Sequence, residues 1–284
     1  MRTRATLARS LVLAVGLPAA TSGALQAQPL TEGDVPSRLQ FNFGRAVAVD
    51  AAGGVHVAWL SGPTLDPANP GATLGQVFYR RSPDGGAHWE APRPMTPTPF
   101  PFTGHPKVAA AGLHVYVVWH GVSEGTLRVF LAHSPDAGAQ WEEPRLVSDN
   151  PGGVGTAWPS VAAWGDEVHV VWGDGRTGAA EIYLRSSPNG GHGWTPVRRV
   201  SCDDGRSSWT PSVAAEGATV HVAWSDSDTT PTPTAGPMTA AARARNVGKR
   251  STTGAPPISA KPGRTRCASP PTRPGTLGRH GRRR

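Results

Sequence analysis

The 284-residue sequence predicts an all-β chain built from four-stranded antiparallel units, and three observations carry that prediction. The octet Ser-x-Asp-x-Gly-x-x-Trp occurs three times, as SPDGGAHW (82–89), SPDAGAQW (134–141) and SPNGGHGW (187–194), at steps of 52 and 53 residues. Short runs rich in valine and aromatics recur in step with it: VHVAW (55–59), VYVVW (115–119), VHVVW (168–172) and VHVAW (220–224). Such runs have strand character. Further strand-like segments flank them, HPKVAA (105–110), WPSVAA (158–163) and TPSVAA (210–215) ahead, and QVFYRR, RVFLAH and EIYLRS behind. Each unit then reads as three strands, the octet turn and a fourth strand such as PVRRVS (196–201). A four-stranded unit repeated about every 50 residues is the sequence form of a β-propeller blade.

Residues 1–27 have the form of a secretory signal peptide. Arg2, Arg4 and Arg9 lead into the apolar stretch LVLAVGLPAA, and small residues mark a cut after Ala24 or Ala27. A secreted location, extracellular or periplasmic, is therefore expected, and no other stretch is long and apolar enough to span a bilayer. Residues 28–40 read as a linker and 41–228 as a partial propeller. In each octet the Asp or Asn (Asp84, Asp136, Asn189) is expected to accept backbone N–H groups and close an Asx turn. Gly86, Gly138 and Gly191 supply positive φ. Ser82, Ser134 and Ser187 begin the turns, and Trp89, Trp141 and Trp194 leave them to cover the adjacent apolar layer.

The octets, in register with the strands, resemble Asp-box (BNR) repeats of the sialidase-like β-propeller superfamily over residues 41–226. The resemblance implies structural octets lying away from any active site. It implies six blades, of which about three and a half are present here. It also implies three arginines for a substrate carboxylate, a tyrosine nucleophile with a glutamate partner, and an aspartate acid/base. The nearest match to the first arginine motif is FGRA (43–46), with Arg45 displaced and the proline missing. Tyr79, Tyr116 and Tyr183 all fall inside predicted strands, so no catalytic residue is assigned.

The net charge of +8 belongs to the end of the chain. Residues 229–284 hold 12 of the 28 Lys and Arg and none of the 20 Asp and Glu, whereas residues 28–228 hold 13 basic and 20 acidic residues. An acidic propeller argues against a nucleic-acid partner. The tail has no Phe, Trp or Tyr and reads as a disordered basic Pro/Thr/Arg segment. After VHVAWSD a third strand and an octet near residue 241 are due, and neither pattern is seen. A frameshift near Thr229 accounts for the loss: two bases on, TTGAPP (252–257) permits an octet-like Asp-Gly-Gly-Ala-Thr. Cys202 and Cys267 make a poor staple across such a tail. The truncated arc leaves open flanks, and non-specific self-association is expected from them.

In an antiparallel meander the connections alternate between two faces. The octets therefore lie on one face, and ligand-facing residues are sought on the other. There stand Asp174 and Arg176, in GDGRTG (173–178), and Asp226, after the fourth unit's second strand. Arginine can fork onto a carboxylate, although hydrogen bonding within the loop is the preferred reading of Asp174 and Arg176. Trp158 and Trp209, like Phe41, Phe43, Phe100 and Phe102, precede the innermost strands, where rings either stack on sugars or pack at the strand start. His56, His169 and His221 share one repeat position and so do not converge; no metal site and no cofactor is expected. HExxH, CxxC, GxSxG and phosphate-loop patterns are absent. The expected function is a non-catalytic extracellular or envelope module that binds a glycan or envelope polymer. An exo-sialidase or related glycoside hydrolase, inactive in this truncated form, and a structural protein of the cell envelope stand as alternatives.

Overall fold

The computed structural model describes residues 46–66, 69–96, 100–101, 104–149, 155–202, 205–227 and 240–248, with short strands at 12–14, 27–29 and 37–38. The described residues are strands, turns and bends, with no helix among them. Four antiparallel sheets follow one another along the chain, besides the small pairing of Val12–Ala14 with Ala27–Pro29. Blade 1 holds Val47–Val49, Val55–Asp66, Asn69–Ser82 and Arg93–Pro94, with Ser37–Arg38 and Phe100–Pro101 added at its edges. Blade 2 holds Gly104–Ala111, His114–Ser123, Thr126–Ser134 and Arg145–Leu146. Blade 3 holds Thr156–Trp164, Glu167–Thr177, Ala179–Ser187 and Arg198–Arg199. Blade 4 holds Ser208–Glu216, Thr219–Ser227 and Ala240–Gly248. The first strands of successive blades pack on one another, so the sheets radiate from the innermost strands as propeller blades do.

Burial on both faces explains the continuous apolar runs, because successive residues of a strand point to opposite sides. Val115, Val117 and Trp119 pack toward blade 1, against Ala58, Val77 and Tyr79. Tyr116 and Val118 pack toward blade 3, against Val168, Val170 and Trp172. Val171, Ile182 and Leu184 continue the stack against Val213, Val222 and Trp224 of blade 4.

Four sequence expectations change. The fourth strand foreseen at 196–201 is only Arg198–Arg199. Its pairing continues by other means, since Val200 N donates to Ile182 O at 2.7 Å and Ser201 Oγ accepts Ile182 N at 2.7 Å. Ser148 and Thr96 take the same role on Val129 N and Val77 N, at 3.0 and 3.3 Å. In blade 1, VHVAW and QVFYRR are the base of a longer hairpin whose register shifts between Ser61 and Thr64. The absence of a third strand in blade 4 is also corrected: Ala240–Gly248 pairs antiparallel with Thr219–Ser227 from Ser227↔Ala240 to Thr219↔Gly248. Ladder formation uses backbone groups, to which a composition argument is blind. Cys202, expected to make a poor staple across the tail, is buried and disulfide-bonded. The second cysteine, Cys267, the segment 252–257, most of the signal-peptide region and Arg45 lie outside the described residues.

Each octet closes through its serine as much as its acid. Ser134 Oγ donates to Asp136 Oδ1 at 2.8 Å and accepts Gly138 N at 2.8 Å, while Asp136 Oδ1 accepts Gln140 N at 2.8 Å. Ser82, Asp84, Gly86 and His88 N repeat this set at 2.7, 2.7 and 2.8 Å. In the third copy Asn189 keeps the acceptor, with 3.0, 2.9 and 2.7 Å for the same three bonds. The amide bound by the acid lies four residues on, so the closure is wider than the expected Asx turn. Ala137 N→Leu113 O and Gly190 N→Asp166 O, both 2.7 Å, tie the octets to the turns between first and second strands and fix them on one face. They also grip the preceding blade. Trp141 stands edge-on to Tyr79 at 4.7 Å, Arg81 Nη1 donates to Ala137 O at 2.8 Å, and Arg145 Nη1 donates to Gly191 O at 3.0 Å.

Candidate functional site

On the opposite face, the innermost strands begin with a repeated distortion. His105, Trp158 and Thr210 hold φ of 51°, 51° and 50°, each directly before a proline. A Cβ-bearing residue seldom enters the left-handed region, and the one before proline is pushed towards extended backbone. Each lies within a break in strand pairing, between Gly104 and Lys107, Ala157 and Ser160, or Trp209 and Ser212. Strain of this kind costs roughly 1–3 kcal/mol per residue and is held by the surrounding sheet. A bulge re-aims the side chain it carries.

The result is a row of rings across blades 2, 3 and 4. His120 and His105 lie 4.9 Å apart, His105 and Trp158 6.4 Å, and Trp158 and Trp209 4.9 Å at an interplanar angle of 87°. Trp158 and Trp209 are half-buried, and Gly173 sits beneath Trp158. Trp209 Nε1 and His120 Nδ1 are buried without a hydrogen-bond partner. Burial, aided by the charge of Lys107, lowers the pKa of His105 to about 4; burial lowers that of His120 to about 3. Both imidazoles are therefore neutral at pH 7. Burial also brings buried Lys107 down to about 8. The half-buried indoles of this row can stack on the apolar face of a sugar.

The structure brings Trp158 and Trp209 together, buries Asp174 and Asp226 and half-buries Arg176. Asp174 has a fully enclosed carboxylate: Oδ1 accepts Arg176 N at 2.8 Å, and Oδ2 accepts Arg176 Nη2 at 2.5 Å and Trp172 Nε1 at 3.4 Å. Arg176 also donates to Asp149 Oδ1 at 2.6 Å and covers the Tyr183 ring at 4.3 Å. Bonding within the loop, the preferred reading, thus uses both residues. Asp226 Oδ1 accepts Ser208 Oγ and Trp224 Nε1, each at 2.7 Å. Trp172–Asp174 and Trp224–Asp226 are one repeated brace.

All three tyrosines are buried, Tyr79 at 2%, Tyr116 at 0% and Tyr183 at 5% exposure. His56 bridges Tyr79 Oη at 2.6 Å and Asp50 Oδ2 at 3.1 Å, His169 meets Ser186 Oγ at 2.8 Å, and His221 is exposed. Phe41, Phe43 and Phe102 lie outside the described residues, as does the side chain of Phe100. His105 and His120 were not singled out by sequence. The signal that points to them is Pro106, Pro159 and Pro211, recurring at steps of 53 and 52 inside strands that proline should interrupt.

No protein-family model and no curated protein matches the sequence. Among solved structures, the chain is similar to the Hadza microbial sialidase Hz136, at 16% identity and a TM-score of 0.47, over 63% of this chain and 41% of that one. It is also similar to the α-L-arabinofuranosidase Arb93A of Fusarium graminearum, at 15% identity and a TM-score of 0.48, over 70% and 62%. A PL25 ulvan lyase shows 15% identity and a TM-score of 0.48, over 71% and 56%. The matched region thus spans 41%, 62% and 56% of these three structures.

Proposed function

We propose that this chain is a secreted Asp-box propeller module that binds a glycan on the face opposite the octets and does not cleave it. The observation that carries this reading is the Trp158–Trp209 pair, half-buried at 4.9 Å and joined by neutral His105 and His120 into one ring platform. The burial of all three tyrosines supports a binding role, since a tyrosine nucleophile has to reach its substrate.

A glycan array on the purified chain selects the ligand, and calorimetry on that oligosaccharide measures it. Trp158→Ala and Trp209→Ala are expected to weaken binding tenfold or more, as loss of a central aromatic anchor does. His88→Ala and Gln140→Ala, on the octet face, leave it unchanged. Undiminished binding by both tryptophan variants overturns the reading, and so does release of sialic acid from a fluorogenic sialoside.

A further inference from the structure

We propose that His133, Glu142 and His192 form a divalent-metal site, suited to Zn²⁺, that ties blade 2 to blade 3 on the octet face. His133 is the last residue but one of the third strand of blade 2, Glu142 follows the octet of that blade, and His192 sits in the octet of blade 3. His133 Nδ1 lies 3.4 Å from Glu142 Oε1, His192 Nε2 lies 3.5 Å from the same oxygen, and all three ligand atoms fall within 4.8 Å of one another. A tetrahedral ion with bonds of ~2.1 Å has ligand–ligand edges of about 3.4 Å. Two of the three edges already have that length. His133 is 3% exposed, and its Nδ1 makes no hydrogen bond despite facing the carboxylate.

The surroundings fit the same assignment. With the Nδ1 lone pair of His133 on the metal, its Nε2–H donates to His114 Nδ1 at 2.9 Å, and His114 Nε2–H points to Asp166 Oδ1 at 3.4 Å. One choice of tautomers satisfies the whole chain, as in metal-bound imidazoles backed by a carboxylate. Glu142 Oε2, the oxygen turned away from the imidazoles, accepts Arg145 Nη2 at 3.0 Å. Binding moves the His192 proton to Nδ1, so the 3.3 Å approach of Arg145 Nη2 to that atom is given up. The side chains of His192 and Glu142 are 52% and 28% exposed, which leaves the fourth coordination position open to water.

Blade 1 shows what this place demands. At the positions of His133 and Glu142 it has Arg81 and Glu90, an ion pair of 2.7 Å. There the cation is a guanidinium that also reaches the next octet through Ala137 O. Blade 2 substitutes an imidazole, and the next octet supplies His192 where blades 1 and 2 have Ala87 and Ala139. A metal ion restores the charge at this place and adds a second link between the blades beside that of Arg145 to Gly191.

The test is Zn²⁺ titration of the full purified chain against a chromophoric chelator. Wild type is expected to bind one Zn²⁺, with a rise in melting temperature and, with Co²⁺ instead, the visible absorption of tetrahedral coordination. Glu142→Gln and His192→Ala are each expected to lose at least tenfold in affinity, together with the thermal shift. His192 is exposed, so its variant folds, and His88→Ala serves as an exposed-histidine control with wild-type binding. No stoichiometric binding by wild type, or wild-type affinity in His192→Ala, overturns the site.

Discussion

On the octet face, equivalent positions in blades 1, 2 and 3 carry the same atom and the same bond: Ser82, Ser134 and Ser187 each hold the amide of Gly86, Gly138 or Gly191. On the opposite face, equivalent positions in blades 2, 3 and 4 share a strained backbone but carry His105, Trp158 and Thr210. The contrast separates two demands. Where side chain and bond both repeat, the blade needs them to fold; where the backbone alone repeats, the fold supplies a pedestal and leaves its occupant to a ligand. Departures from the repeat on the octet face follow the same logic, as His133 and His192 do beside Arg81 and Ala87.

The variant that tests the division hardest is Asp174→Ala. It lies on the variable face yet belongs to the repeated brace, so it should cost about 3–5 kcal/mol by leaving the Arg176 guanidinium with only the more exposed Asp149 as its carboxylate partner and the Trp172 indole with none, read as a lower urea midpoint. Gly138→Ala follows at about 2–5 kcal/mol: φ is +85° there and a new Cβ would overlap Tyr79 Oη, whereas at Gly191 the nearest atoms are 3.7 Å away. Gly191→Ala should therefore lose less in the same assay. Ser134→Ala should cost about 1–3 kcal/mol, because the Gly138 amide it satisfies is buried. Asp136→Ala should cost less, about 1 kcal/mol, since its bond to Gln140 N is exposed.

A smaller effect comes from pH. Burial lowers His105 and His169 to about 4 and His120 to about 3, so the unfolded chain takes up protons first as pH falls below about 6.5. Stability should decline between pH 6.5 and about 4, and His105→Gln should flatten the decline; a constant urea midpoint across that window would contradict it.

Period, strand order and octet were legible in the sequence because they are local: a turn closed within four residues leaves its whole signature in one octet. The role of Ser134 as acceptor for Gly138 was less visible, since a serine in a turn has many uses. The brief fourth strands hid Thr96, Ser148 and Ser201, though these recur at steps of 52 and 53. The meeting of Trp158 with Trp209, and of His133 with His192, depends on how far one blade turns from the next. That angle is set by side-chain packing between sheets and is written in no contiguous motif. Asp174 stayed a ligand candidate beside the preferred loop-bonding reading because sequence position does not say whether a neighbour such as Arg176 has already claimed its oxygens.

The arginine tethers that run from one blade to the next octet, Arg81 to Ala137 and Arg145 to Gly191, make the molecule behave as a chain of nearest neighbours. Such a chain frays. Hydrogen exchange should be slowest at amides of the middle blades, such as Val117 and Val170, and faster in blades 1 and 4. Pulled from its ends in a force experiment, the chain should yield stepwise, each blade of about 50 residues releasing about 170 Å of extended chain.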